Sequence, residues 1–188
     1  MTAILETIWA TVIGGMIIVS ILNGLFTIQI TAMNLEMQIT LNDISEDVTS
    51  VLNNGILSRV GSGVPPDSTI ISSAKINEFE FKGKLTNDNT VSVIKVVQED
   101  STANGYPLKV YKDNSLVMGP FWLVDSLTVQ YYDKDGNELS TPVTTYIDSI
   151  RYAKFDMEFF QKGIDRNNFE NNLRSRIVFW RYFLNTYL

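Results

Sequence analysis

The N-terminal stretch from Thr7 to Leu35 contains no charged residue, and the single acid Glu6 stands directly before it. About 20 consecutive apolar residues are enough to cross the hydrocarbon core of a bilayer, so this run can span a membrane. A carboxylate in such a segment is costly in lipid and usually serves a function. No Lys or Arg precedes Arg59, although a signal anchor needs a basic flank. We therefore expect that a short basic leader has been removed or lies outside this numbering, and that the apolar run is retained in the mature protein.

The composition excludes several kinds of active site. The chain has 0 His and 0 Cys, which rules out the usual triads, thiol nucleophiles and zinc or haem sites. No motif places a pair of carboxylates for acid–base chemistry, so we predict that the protein is not an enzyme. The net charge of −6 also argues against nucleic acid as the main partner.

Residues 3 to about 57 are predicted to form one long helix. Its first half is apolar all round, whereas its second half is amphipathic. Gly14-Gly15 and Asn23-Gly24 interrupt the first half, and they are either small-residue packing contacts or points where the helix loosens. The predicted apolar face of the second half comprises Ile30, Met33, Met37, Leu41, Ile44, Val48, Val51 and Leu52.

The helix is expected to end at Asn53-Asn54-Gly55, where Gly55 suits a left-handed capping position. A Gly- and Pro-rich linker over residues 61–66 follows. We place the domain boundary here, which gives a helix over 1–57 and a head over 58–188.

Beyond the linker the sequence period changes to two, which predicts an antiparallel sheet. Around Phe79 and Phe81 the aromatic face is expected to point inward, and a bulge is expected near Ala153. Asp113-Asn114 and the stretch Asp133–Asn137 are predicted turns, as is the polar segment 86–89, and residues 163–172 are polar. The fold class is therefore α+β, with the amphipathic half of the long helix packed on the antiparallel sheet of the head. The predicted strands cover 76–81, 91–97, 106–112, 115–118, 127–133, about 146–160 and 174–184, and a helix is the alternative for the last of them.

The motif AILE before a long uncharged helix, followed by an amphipathic half-helix and a sheet, resembles the type IV pilin superfamily, which includes pseudopilins. The strand 125–132, the Asp-Gly turn, the strand 147–158 with Arg151 and the last aromatic-basic strand loosely resemble the larger J-type minor pseudopilins. In this family the processed N-terminus lies a few residues before a glutamate. With Thr2 as the mature terminus, Glu6 has the family spacing, whereas with Met1 the spacing is one residue longer.

The resemblance implies a structural protein that polymerises with copies of itself through its N-terminal helix. The assembly residues would be Met1, Thr2, Glu6, Gly14 and Gly15, with a methylated N-terminus. Before assembly the subunit would reside in the inner membrane, where a prepilin peptidase and an assembly platform would act on it. Afterwards it would belong to an extracellular filament. The alternatives are a minor pseudopilin of a type II secretion-like system and a single-pass, membrane-anchored binding domain.

Three further features have alternative interpretations. Asp133, Asp135 and Asn137 place oxygens at alternate positions as calcium loops do, but Thr144 stands where an EF-hand needs a glutamate, so a β-hairpin turn is the simpler interpretation and no cofactor is expected. The last strand combines Arg174, Arg176 and Arg181 with Phe179, Trp180, Tyr182 and Phe183, which fits a nucleic-acid surface or, more simply, a core strand with basic outer residues. Trp122 is either a ligand contact or, more simply, a buried aromatic residue at the rim.

Overall fold

The computed structural model describes residues 2–85, 90–163 and 171–187. Met1, the predicted turn at 86–89 and most of the polar stretch 163–172 lie outside these ranges. The chain forms two compact units: Met1–Thr40 with Gln161–Leu173, and Leu41–Phe160 with Arg174–Leu188. The fold is α+β, as predicted, with one long N-terminal helix and a curled antiparallel sheet.

The predicted long helix is present and extends beyond its expected end. Helix α1 covers Thr2–Ser50, a π-helical segment covers Val51–Ile56, and a 3₁₀ turn covers Leu57–Arg59. The Leu57 amide donates to the Leu52 carbonyl five residues back, so Gly55 lies inside this wider turn. The prediction of a left-handed Gly55 cap is therefore wrong. The chain leaves the helical segment at Gly61 and Gly63, which have φ values of 74° and 71°.

The sheet has nine strands among the described residues: β1 Ile71–Ala74, β2 Glu78–Gly83, β3 Ser92–Gln98, β4 Tyr106–Lys112, β5 Ser115–Leu123, β6 Thr128–Tyr132, β7 Glu138–Leu139, β8 Tyr152–Gly163 and β9 Asn171–Tyr182. Their order in the sheet is β1-β2-β3-β4-β5-β8-β6-β7, with β9 paired to β8, which brings the last two long strands side by side. Strands β1 and β7 were not predicted from the sequence. The strand predicted to begin near residue 146 begins at Tyr152 instead, because a 3₁₀ turn occupies Ile147–Ser149.

Both predicted hairpin turns are present. Asp113 and Asn114 join β4 to β5 with φ values of 47° and 66°, the positive pair that a two-residue hairpin loop requires. The stretch Asp133–Asn137 joins β6 to β7, with Tyr132 paired to Glu138. Short 3₁₀ turns at Ile147–Ser149 and Leu184–Tyr187 precede β8 and follow β9.

The core is aromatic and centres on Phe79 of β2, which is fully buried. Its ring lies 5.3 Å from Phe81, 5.7 Å from Tyr131 and 5.3 Å from Phe183, as measured between ring centroids. These contacts join β2 to β6 and to the end of β9, so the curled sheet closes over one interior. The predicted inward face of β2 is confirmed.

The bulge predicted near Ala153 is wrong. Strand β8 pairs with β6 without a register shift from Tyr132↔Tyr152 to Thr128↔Asp156. The sequence alternation breaks because Ile150 is buried before β8 begins, in the segment that follows a 3₁₀ turn.

The helix packs on the sheet within the second unit through a stripe that includes Leu41, Val48 and Leu52 of the predicted face. Leu41, Ser45, Val48 and Leu52 are buried, at helical spacings of three and four residues. Ser45 is polar but can be buried in this stripe because its hydroxyl forms a hydrogen bond of 3.0 Å with the Ser175 hydroxyl on β9. The predicted members Met33, Ile44 and Val51 are exposed instead, and Ile30 is buried in the first unit.

Candidate functional site

The first candidate is the N-terminal part of α1, where nearly every side chain faces outward. Trp9 exposes 61% of its surface, and Ile4, Leu5 and Ile8 are exposed as well. From Thr2 to Gln29 no residue is buried. The helix has a mean hydropathy of 2.0 in its most apolar window and is long enough to cross a membrane. Apolar surface of this extent requires lipid or other protein to cover it.

Glu6 lies on this exposed helix, one turn after Thr2, the first described residue. It is the only charged residue before Glu36. Thr7 and Thr11 donate their hydroxyls to carbonyls four residues earlier, at 2.9 Å each, so these polar groups are satisfied within the helix. Of the assembly residues that the resemblance implies, Met1 lies outside the described part of the chain.

Gly14 and Gly15 lie inside the unbroken helix, as does Gly24. A Cβ at any of these positions would meet no atom within 4 Å beyond its chain neighbours and the helix's own backbone. The helix does not loosen at these glycines. Because these glycines have no side chain, the backbone of another helix can approach this surface closely.

The acidic loop after β6 is a hydrogen-bonded turn. Asp133 Oδ1 accepts the amides of Asp135 and Asn137 at 2.8 and 2.9 Å, and its Oδ2 accepts the Asn137 side-chain amide at 2.9 Å. These bonds, led by those of Asn137, lower the pKa of Asp133. Among the described residues no group of three or more carboxylate, His or Cys side chains is placed to hold a metal. Calcium binding by this loop stays a hypothesis.

The arginines of the last strand divide between its two faces. Arg176 binds Asp156 with two hydrogen bonds of 2.9 and 2.6 Å, and this pairing lowers the pKa of Asp156. Arg174 lies 3.5 Å from Glu158. Arg181 points inward, where its Nη1 donates to Asn53 Oδ1 at 3.3 Å and burial lowers its pKa. The three cations therefore do not form one basic patch.

A cluster of rings covers the outer side of β6, β8 and β9, and we call it the aromatic outer face. Tyr132 and Tyr152 stack at 5.0 Å with planes 4° apart, and Trp180 lies 5.2 and 5.8 Å from them. Tyr182 lies 4.8 Å from Tyr152. Trp180 and Tyr182 expose 47% and 57% of their surface. The sequence interpretation noted the two β9 members but missed the tyrosines, because only the sheet order brings Tyr132 and Tyr152 beside them.

Trp122 borders a shallow cavity of about 410 Å³ that Glu99 and Lys109 also line. Glu99 accepts a hydrogen bond from Lys109 Nζ at 2.7 Å and another from the Tyr111 hydroxyl, and these bonds lower its pKa. Trp122 is half-buried at the rim of this cavity rather than buried.

These features are the basis for any functional assignment. The N-terminal part of α1 supplies an exposed apolar surface with Glu6 as its acid, and the sheet supplies the aromatic outer face. Comparisons with protein-family models, curated proteins and solved structures find no match to this chain.

Proposed function

We propose that this chain is a structural subunit of a type IV pilus-like filament and that it polymerises through its N-terminal helix. The observation that carries the proposal is the exposed apolar helix with Glu6 at its start. The resemblance of this pattern to type IV pilins supports it.

Packing the helices of many copies together would remove their apolar surface from water or lipid. Burial stabilises by about 25 cal/mol per Å² of apolar surface, and ordering costs offset part of this. Such contacts are head-to-tail and do not close, so they produce an open helical array. Gly14, Gly15 and Gly24 allow neighbouring helices to approach closely.

Glu6 would set the register of this array. A carboxylate among apolar helices costs several kcal/mol unless a positive group neutralises it. The α-amine at the N-terminus of a neighbouring copy is the partner that the pilin resemblance implies, and the amine meets the same cost. Pairing the two groups offsets both costs and favours a single axial stagger between subunits.

The test is filament formation by the full-length chain after detergent removal, followed by electron microscopy and helical reconstruction. We expect filaments in which this chain repeats, and at least a tenfold loss of filament mass for Glu6→Gln. Glu36→Gln is the matched control, because Glu36 is the next acid along the same helix and is also exposed. Mass spectrometry of filaments from cells would identify the mature terminus and its methylation.

Assembly of Glu6→Gln at the wild-type level would remove Glu6 from the mechanism. The second candidate is a single-pass, membrane-anchored binding domain, which the length and hydropathy of the helix favour equally. A chain that stays monomeric in phospholipid bilayers under all conditions would support that candidate instead. A minor pseudopilin would enter filaments only together with a different, major subunit.

A further inference from the structure

The aromatic outer face is distant in sequence from the N-terminal part of α1 and belongs to the second unit. Its four rings form a continuous cluster across three strands. Cross-strand aromatic pairs stabilise a sheet, but Trp180 and Tyr182 leave about half of their surface exposed. Adjacent tryptophan and tyrosine rings that remain exposed in this way are typical of recognition surfaces.

The charged groups around these rings are paired with one another. Asp156 holds Arg176 at 2.6 Å, and Glu158 faces Arg174 at 3.5 Å. Lys154 places its ammonium 5.7 Å from the centre of the Trp180 ring, a cation–π contact. Binding a nucleic-acid backbone depends on cations that can neutralise phosphates, and the cations here are already engaged. The surface is therefore suited to an uncharged ligand.

Hydrogen-bonding groups border the rings. The Gln130 amide donates to Glu138 Oε1 at 3.0 Å, and both side chains lie on the strands that carry or adjoin Tyr132. The Tyr132 hydroxyl is a further group that can donate and accept hydrogen bonds. Carboxylate, amide, guanidinium and hydroxyl groups thus surround an apolar centre.

We propose that the aromatic outer face binds a neutral oligosaccharide. A sugar ring has one face of C–H bonds, whose slight positive charge packs against the negative face of an aromatic ring. Its hydroxyl rim accepts and donates hydrogen bonds, which the bordering polar groups supply. The two exposed rings, Trp180 and Tyr182, lie two residues apart on β9, which is about 7 Å along the strand, so neighbouring sugars of one chain can each contact a ring.

The experiment uses the full-length chain in phospholipid nanodiscs, which avoids detergents with sugar headgroups. The neutral probes are hexamers of β-1,4-glucose, β-1,4-N-acetylglucosamine and α-1,4-glucose. The anionic probes are hexagalacturonate and a single-stranded oligothymidylate. Binding is measured by calorimetry and by tryptophan fluorescence. We expect at least one neutral hexamer to bind, with little dependence on salt, and Trp180→Ala and Tyr182→Ala each to weaken it about tenfold.

Tyr146→Ala is the matched control, because Tyr146 is an exposed aromatic residue outside the cluster, and it should bind as the wild type does. If Trp180→Ala lowers the unfolding temperature, Trp180→Phe keeps a ring at this position, and partial retention of binding by this variant supports the site.

The proposal is overturned if no neutral hexamer binds at millimolar concentration, or if Trp180→Ala and Tyr182→Ala bind like the wild type. Salt-sensitive binding of the oligothymidylate alone would identify a nucleic-acid surface instead. Loss of self-association in Trp180→Ala, without any saccharide binding, would identify a contact between copies.

Discussion

Glu78 illustrates how a single acid can be held ionised at the edge of the core. Its Oε1 accepts hydrogen bonds from Ser73 Oγ at 2.7 Å and Lys75 Nζ at 2.9 Å, and its Oε2 lies 3.0 Å from Lys95 Nζ. Partial burial acts to raise its pKa, but these three partners outweigh burial and lower the pKa to about 2. The carboxylate thus clamps β1 and β3 to β2.

Glu78 gives the stability of the sheet a defined dependence on pH. Its pKa is lower in the folded state than its ordinary value of 4.5, so its contribution is present above pH 4.5 and is lost as the pH falls toward about 2. We expect Glu78→Gln to lower the free energy of unfolding by about 2 kcal/mol at neutral pH, after solvent screening, and the difference to vanish near pH 2.

The measurement is chemical unfolding at a series of pH values, followed by near-ultraviolet circular dichroism. Glu80→Gln is the control on the same strand, where the carboxylate accepts from the Ser72 hydroxyl at 2.7 Å. A difference between Glu78→Gln and the wild type that is independent of pH would contradict this account of Glu78.

Among the elements, the end of the helical segment packs closely against the last residues of strand β2. A Cβ on Gly83 of β2 would lie 2.2 Å from the carbonyl oxygen of Arg59, whereas a Cβ on Gly55 would meet its nearest atom, Val51 Cγ1, at 3.6 Å. The Gly61 amide donates to the Lys82 carbonyl at 2.9 Å, which fixes the chain exit beside this strand. The close approach of the Arg59 carbonyl therefore requires glycine at position 83, whereas position 55 has room for a side chain.

Alanine substitutions at these two positions should have opposite effects. We expect Gly83→Ala to lower the free energy of unfolding by about 1–3 kcal/mol, because backbone must move to admit the methyl group. Gly55→Ala should be neutral or stabilise by up to about 1 kcal/mol, since its backbone is helical and has room. Thermal unfolding of both variants tests this, and equal unfolding temperatures would contradict the close approach at Gly83.

At the scale of the whole molecule, the second unit contains its own core. The stripe formed by Leu41, Ser45, Val48 and Leu52 and the aromatic cluster around Phe79 both belong to it. The residues from Thr2 to Gln29 bury nothing in the isolated chain. The core of the second unit therefore does not depend on side chains from Thr2 to Gln29.

Removing residues 1–40 should leave a folded and water-soluble head, because the packed stripe from Leu41 onward is retained. Removing residues 1–57 should destabilise the head by more than 4 kcal/mol or prevent folding, because Val48, Leu52 and Ile56 leave a buried gap. Size-exclusion chromatography and circular dichroism distinguish the two truncations. An aggregated head from the shorter deletion would show that the core depends on the first unit.

Much of this architecture could be predicted from local pattern. The uncharged run, the change of period from helix to strand, and the Asp113-Asn114 turn each depend on neighbouring residues only, and the structure contains all three. Two predictions about where an element ends or bends were wrong, although the packing of the amphipathic half-helix on the sheet was predicted correctly. Gly55 was expected to cap a helix that continues as a π turn, and Ala153 was expected to form a bulge in a strand whose pairing is regular.

The amino-acid sequence was sufficient to show that the chain begins with a long apolar helical segment that carries a single acid before Glu36, because the charge and hydropathy of a helix depend only on its own residues. It also determined which β2 residues face inward, because side chains alternate along any strand. Only the tertiary structure shows that Ser45 belongs to the buried stripe and that Tyr132, Tyr152 and Trp180 form one surface cluster. These contacts join residues far apart in the chain, and their position depends on the order of the strands rather than on any local pattern.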